Sequence, residues 1–225
     1  KLLAEASMIG KDYAKAIDPL QKYLAARPTG DVAGHALSYL AVSLAALGQF
    51  DQLRGPLDAL RGKAAKELSL PAMFRVAETC FDAKQFTLAA ELYTEVARED
   101  PQGPFHAKAL SGLGWARYQE AKYPLAAQAF GLLVELRPDD ALASEAATMR
   151  GRSLEADSKF AEAAAAYQLA LSKYPQSAQA FDAGLQFART LQRAGKPEEA
   201  IAAYEDLSKR FPQAKQLDVV LYEWA

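Results

Sequence analysis

AKYPLAAQAFGLLVELRPDD, residues 121–140, opens on Tyr123-Pro124 and stops at Arg137-Pro138. Between these, Ala126, Ala127, Phe130, Leu133 and Val134 recur at the spacing of one helical stripe. Pro124 stands where a first helical turn tolerates proline, because the missing N–H has no partner there. Pro138 ends the helix. Upstream, Leu110, Leu113 and Gly114 mark a preceding helix over 107–120, and Glu120-Ala121-Lys122 is the turn. The unit is therefore helix, turn, helix, and each helix is short enough to be marginal alone in water.

The phrase returns as SKFAEAAAAYQLALSKYPQS from Ser158 and as GKPEEAIAAYEDLSKRFPQA from Gly195. The aromatics that follow a polar or glycine turn are Tyr13, Phe50, Phe86, Tyr123 and Phe160, spaced 37, 36, 37 and 37, with Pro197 a further 37 on. The closing prolines Pro28, Pro101, Pro138, Pro175 and Pro212 keep the same phase. One helix pair cannot bury both of its faces, whereas pairs stacked at a fixed period do. The sequence thus predicts an all-α chain, a right-handed α-solenoid (superhelix) of stacked antiparallel helix pairs. A single array over 1–225 divides into a partial unit 1–30, units 31–67, 68–103, 104–140, 141–177 and 178–214, and a start or cap at 215–225.

These residues resemble the tetratricopeptide repeat. Leu110, Leu113-Gly114, Ala121, Tyr123, Ala126, Phe130, Leu133 and Pro138 stand in that family's order. Ala163, Tyr167, Ala170 and Pro175, then Ala200, Tyr204, Leu207 and Pro212, repeat the match. The units run about 37 residues rather than the usual 34, with the extra residues after the proline. That longer style is similar to bacterial envelope proteins such as the Tol-Pal coordinator and the barrel-assembly lipoprotein. It implies a periplasmic or envelope-associated location in preference to the cytoplasm.

The copies are unequal. Leu53 and Leu57 replace the expected small and aromatic residues of the second copy, and RGKAAKELSL over 61–70 replaces a proline stop. A longer or bent connection is expected there. Leu217, Val219, Val220, Leu221 and Trp224 are too apolar for a water-facing cap. The chain therefore either continues in a longer protein or pairs through its end.

Bulk properties exclude several classes. The net charge is −2, which predicts no nucleic-acid or anionic-membrane partner. No apolar run is long enough to insert into a bilayer. Cys80 is the single cysteine and falls on an inward helix face with Met73, Val76 and Ala77, as an inert core thiol. His35 and His106 lie in different units, remote from any metal-spaced cluster, and are expected to be solvated or capping. Asp139-Asp140 and Glu198-Glu199 fall at helix boundaries, where acidic side chains favour an N-terminus. No phosphate loop or nucleophile elbow occurs. The chain is expected to be non-catalytic and to need no cofactor or metal.

The resemblance implies a concave groove lined by the first helix of each pair. On the fourth first helix, Lys108, Ser111, Trp115, Tyr118 and Gln119 share the side opposite the apolar stripe. The matching places hold His35, Ser38, Val42, Ala45 and Ala46 in the second unit, and Pro71, Phe74, Glu78, Phe81 and Asp82 in the third. They hold Glu145, Thr148, Arg152, Glu155 and Ala156 in the fifth, and Asp182, Leu185, Arg189, Gln192 and Arg193 in the sixth. Phe74, Phe81, Trp115 and Tyr118 read as an aromatic patch bordered by Glu78, with Arg152, Arg189 and Arg193 as a basic strip beside it. Aromatics and arginines are the types that anchor interfaces. The alternative is that Phe81 or Trp115 packs as core and the arginines are merely solvated. The family's carboxylate clamp needs Lys and Asn at these places and is absent.

The leading expectation is a scaffold that binds a partner peptide or helix in the groove, acidic groups meeting the arginines. The alternatives are a spacer that self-associates through the chain ends, and a non-catalytic part of a larger envelope enzyme or assembly.

Overall fold

The computed structural model describes residues 12–26, 31–63 and 66–213. All regular structure among them is helical: α1 (Tyr13–Ala26), α2 (Asp31–Ala46), α3 (Arg54–Lys63), α4 (Lys66–Asp82), α5 (Phe86–Glu99), α6 (His106–Gln119), α7 (Tyr123–Leu136), α8 (Ala143–Ala156), α9 (Phe160–Lys173), α10 (Ala180–Arg193) and α11 (Pro197–Arg210), with one 3-10 turn at Phe50–Gln52. Even-numbered helices are the first of each pair. The aromatic of the repeat opens α1, α5, α7 and α9, and Pro197 opens α11. In the second copy Phe50 opens the 3-10 turn, and the α-helix starts only at Arg54.

The chain divides into two compact units, Lys1–Ala116 and Arg117–Ala225. In the first, α2 packs on α1, α3 and α4, and α4 packs on α5. In the second, each of α7 to α11 packs on the next. Both units are therefore stacks of antiparallel helix pairs.

The same turn closes every described pair. Gly48, Lys84, Ala121, Ser158 and Gly195 adopt positive φ of 72°, 61°, 57°, 60° and 75°. At each, two hydrogen bonds tie the turn back to the helix. The Lys84 N–H donates to Phe81 O at 2.9 Å and the Gln85 N–H to Cys80 O at 2.8 Å. Ala121 and Lys122, Ser158 and Lys159, and Gly195 and Lys196 repeat the pattern. This Schellman arrangement satisfies carbonyls that a helix end would leave unpaired. Only two of the five positions hold the residue that adopts this conformation without a steric cost.

The stripe read from the sequence is the core. Ala89, Tyr93 and Val96, Ala126, Phe130 and Leu133, Ala163, Tyr167 and Ala170, and Ala200, Tyr204 and Leu207 are all buried. Leu53, Leu57 and Leu60 fill the same places in the second copy and are equally buried. Small residues permit the close approach. A Cβ built on Gly151 would stand 2.6 Å from the Tyr167 ring. Cys80 is fully buried and its thiol is pushed up to about 12 by that burial, so it is inert at neutral pH.

Two expectations need correction. Residues 61–70 are not a long connection, because α3 runs to Lys63 and α4 begins at Lys66. This stretch holds no proline before Pro71, so nothing covalent stops a helix there. His106 opens α6 as expected but is only 4% exposed, so it is not a solvated residue. The apolar run Leu217–Trp224 lies outside the described residues.

Candidate functional site

In the first unit the candidate face is carried by α4 and the part of α6 up to Ala116. On α4, Glu78, Phe81 and Asp82 lie at i, i+3 and i+4 and share one side. Phe81 is half-buried and meets Phe86 edge-on, ring centroids 5.3 Å apart. On α6, Lys108 is exposed while Ser111 and Trp115 are half-buried.

Phe74 does not belong to the accessible patch. It is 8% exposed, held between Tyr93 at 5.7 Å and Phe105 at 5.2 Å. Phe105, from the loop before α6, supplies the cover that a single helical pattern cannot reveal.

Burial raises the Glu78 carboxyl above its ordinary value, and the charge of Asp82 adds to this. Lys108 and Arg75 pull in the other direction. Among the described residues neither Glu78 nor Asp82 forms an ion pair.

In the second unit Tyr118 is half-buried and meets Tyr123 edge-on at 5.3 Å. This is the Phe81–Phe86 contact repeated one period later. Thr148 and Leu185 are buried and offer no docking surface. The expected basic strip is largely self-neutralised. Arg152 Nη2 donates to Asp182 Oδ2 at 2.6 Å, joining α8 to α10. Arg193 Nη1 donates to Glu155 Oε1, and its guanidinium lies 4.5 Å from the centroid of Phe160. Two of the three arginines expected to meet an acidic partner are thus engaged by carboxylates of the same chain. Arg189 is half-buried on the same face.

One set of core hydroxyls escaped the sequence reading. Tyr93, Tyr167 and Tyr204 occupy equivalent core places. The Tyr167 hydroxyl donates to Glu155 Oε2 at 3.1 Å and that of Tyr204 to Gln192 Oε1 at 3.3 Å. In the third copy the position of Glu155 and Gln192 is Phe81, which cannot accept a hydrogen bond. Tyr93 is 4% exposed and its hydroxyl has no partner among the described residues. Its hydroxyl-bearing ring carbon lies where a Cβ on Gly112 would approach to 2.5 Å. Gly112 sits on the α6 face between Lys108 and Trp115, so the phenol tip ends beneath the candidate surface. Burial raises the phenol's pKa, and Glu78 and Asp82 raise it further. Comparing the two columns of the repeat would have exposed the mismatch.

Asp139-Asp140 has the boundary role expected of it: Asp140 Oδ1 accepts from the Leu142 N–H at 2.9 Å, just ahead of α8. Glu198 and Glu199 lie in the first turn of α11. No group of three or more metal-ligating side chains occurs among the described residues. No described helix is long and apolar enough to cross a membrane.

Stacked helix pairs with a left-handed turn residue every 36 or 37 positions define an α-solenoid of short repeats. The tetratricopeptide repeat profile matches residues 81–141, 111–178 and 185–221, and the chain belongs to the tetratricopeptide repeat family. Repeats of this family are interaction scaffolds for protein partners. No curated protein matches the sequence. Among solved structures, MamA from AMB-1 is similar at 18% identity, covering 85% of this chain and 98% of that one, with a TM-score of 0.56. The C-terminal part of a TPR repeat-containing protein from Cytophaga hutchinsonii is similar at 17% identity, covering 98% and 83%, with a TM-score of 0.59. The nearly identical TPR-like repeats of a putative kinesin light chain from Podosopora anserina are similar at 14% identity, covering 81% and 96%, with a TM-score of 0.55. At these identities the likeness shows the fold alone.

Proposed function

We propose that this chain is a non-catalytic scaffold that docks a partner protein segment on the face of its first helices. The observation that carries this reading is that Phe81 and Trp115 stay partly exposed on that face of the first unit, aromatic side chains being the types that anchor interfaces. An aromatic anchor of this kind contributes on the order of 2 kcal/mol when a partner covers it. An exposed arginine contributes about 0–1. Replacing Trp115 with alanine is expected to weaken partner binding at least about tenfold, and replacing Arg189 with alanine less than about threefold. Titration of a captured partner segment against both variants tests this, and equal, negligible losses contradict it.

A second reading, self-association through the array end, draws on Ile201. It is 45% exposed on α11, while its equivalents Ala127 and Ala164 are 6% and 5% exposed. Sedimentation of the whole chain against one ending at residue 213 separates the readings. A monomer at all concentrations counts against self-association. An envelope location rests on the length of the repeat unit, and fractionation of cells carrying the full gene product tests it. Recovery in the cytoplasmic fraction contradicts it.

A further inference from the structure

Resting on the docking reading above, we infer that the α4–α6 stretch of the first-helix face takes a basic partner segment. An arginine of that segment closes on Glu78 and Asp82 and lies against Phe81 and Trp115. This reverses the charge expected from the sequence, and the reversal comes from which charges the fold leaves unpaired.

Glu78 and Asp82 are like charges four apart on one helix face, an arrangement that costs a free helix stability. Among the described residues no cation closes on either of them. Lys108 and Arg75 are near enough to be felt by Glu78 but form no ion pair among the described residues. The Tyr93 hydroxyl, in a side chain only 4% exposed, ends at the same face with no hydrogen-bond partner among the described residues. Both carboxylates and the phenol oxygen are acceptors, and the rings beside them offer π faces. A planar cation with several donors satisfies this set.

The other unit shows the contrast. The repeat position of Glu78 is held there by Arg152 and Arg189, and that of Asp82 by Arg193. Arg152 already has Asp182, and Arg193 already has Glu155 and the Phe160 ring. Arg193 is also an internal example of the proposed contact: one guanidinium shared between a carboxylate and an aromatic face. Arginine suits such a place better than lysine, being planar, weakly hydrated and able to stack.

The test uses three fluorescein-labelled peptides of glycine and phenylalanine that differ only in carrying two arginines, two lysines or two glutamates. Binding to the whole chain is followed by anisotropy. The arginine peptide is expected to bind about fivefold or more tighter than the lysine peptide and tighter still than the glutamate peptide. Glu78→Gln combined with Asp82→Asn should weaken the arginine peptide about fivefold or more and leave the glutamate peptide no weaker. Both changes are isosteric and remove a repulsion, so the melting temperature should not fall. Lys108→Met should strengthen the arginine peptide. Unchanged arginine affinity in the double variant, or glutamate binding as tight as arginine, overturns the inference. If Trp115→Ala still weakens every peptide in that case, the docking reading survives. Failure of all three peptides to bind, or binding that ignores Trp115→Ala, overturns both.

Discussion

The guanidinium of Arg193 on α10 lies 4.5 Å from the Phe160 ring centroid while donating to Glu155 of α8. One side chain thereby ties together the first helices of two successive repeats and the opening aromatic of the second helix between them. The pair is partly exposed, with Arg193 at 55% and Glu155 at 17%. An exposed ion pair contributes about 0–1 kcal/mol and an exposed cation–π contact about 0.5–1 kcal/mol. Arg193→Ala should therefore lower unfolding stability by about 1 kcal/mol in urea titration. Arg193→Lys should recover less than half, because an ammonium cannot stack. Full recovery by lysine would show that stacking of the planar guanidinium adds nothing beyond its charge.

The turn residues make an independent test. Lys84, Ala121 and Ser158 adopt left-handed φ at a position where Gly48 and Gly195 do so without a Cβ. Lys84→Gly, Ala121→Gly and Ser158→Gly should each stabilise by about 0.5–1 kcal/mol. Gly195→Ala should destabilise by about 1 kcal/mol, a purely conformational cost because nothing lies within 4 Å of the added Cβ. Denaturant midpoints of the four variants check the sign of each effect.

The two tyrosines should respond in opposite ways. Tyr167→Phe removes the hydroxyl that donates to Glu155 and should cost about 1 kcal/mol. Tyr93→Phe removes a hydroxyl with no partner among the described residues and should be neutral or stabilising. Equal losses in both would mean that the Tyr93 hydroxyl is satisfied in solution.

Glu78 gives a pH signature. Its pKa in the fold is raised by burial and by Asp82, with Lys108 and Arg75 opposing. The native state therefore binds the proton more readily than the unfolded chain. The stabilisation from protonated Glu78 is fully present below the ordinary glutamate value and is lost as pH rises through the folded one. Glu78→Gln should be more stable than wild type at pH 7, and the gap should narrow on acidification into the range just above the ordinary carboxyl value. A gap that is constant with pH would show that Glu78 does not titrate abnormally.

Much of the fold was legible because its markers are covalent and local. The aromatics and prolines fix period and phase, and α5, α7 and α9 begin at the residues they nominate. The exposed face of each first helix could not be read from 3.6-residue periodicity alone: Val42, Ala45, Phe74, Thr148 and Leu185, at positions expected to line it, are buried. Phe74 is hidden by Phe105 from a loop, and His106 is buried although it opens a helix. The arginine strip was misread for a related reason. Arg152 meets Asp182 and Arg193 meets Glu155 only after successive repeats stack. A pattern read along one helix cannot see a partner in the next. Reading the repeat column by column does, and it also isolates Tyr93.

The central claim is that partners dock on the first-helix face rather than elsewhere. The outer side of α7 is the natural rival, with Leu125, Leu132 and Leu136 between 38% and 54% exposed. A photo-crosslinking amino acid placed at Ser111, and separately at Leu132, in the cells that make the protein decides between them. A partner adduct from position 111 and none from position 132 is the predicted result. An adduct from position 132 with none from position 111 would contradict it.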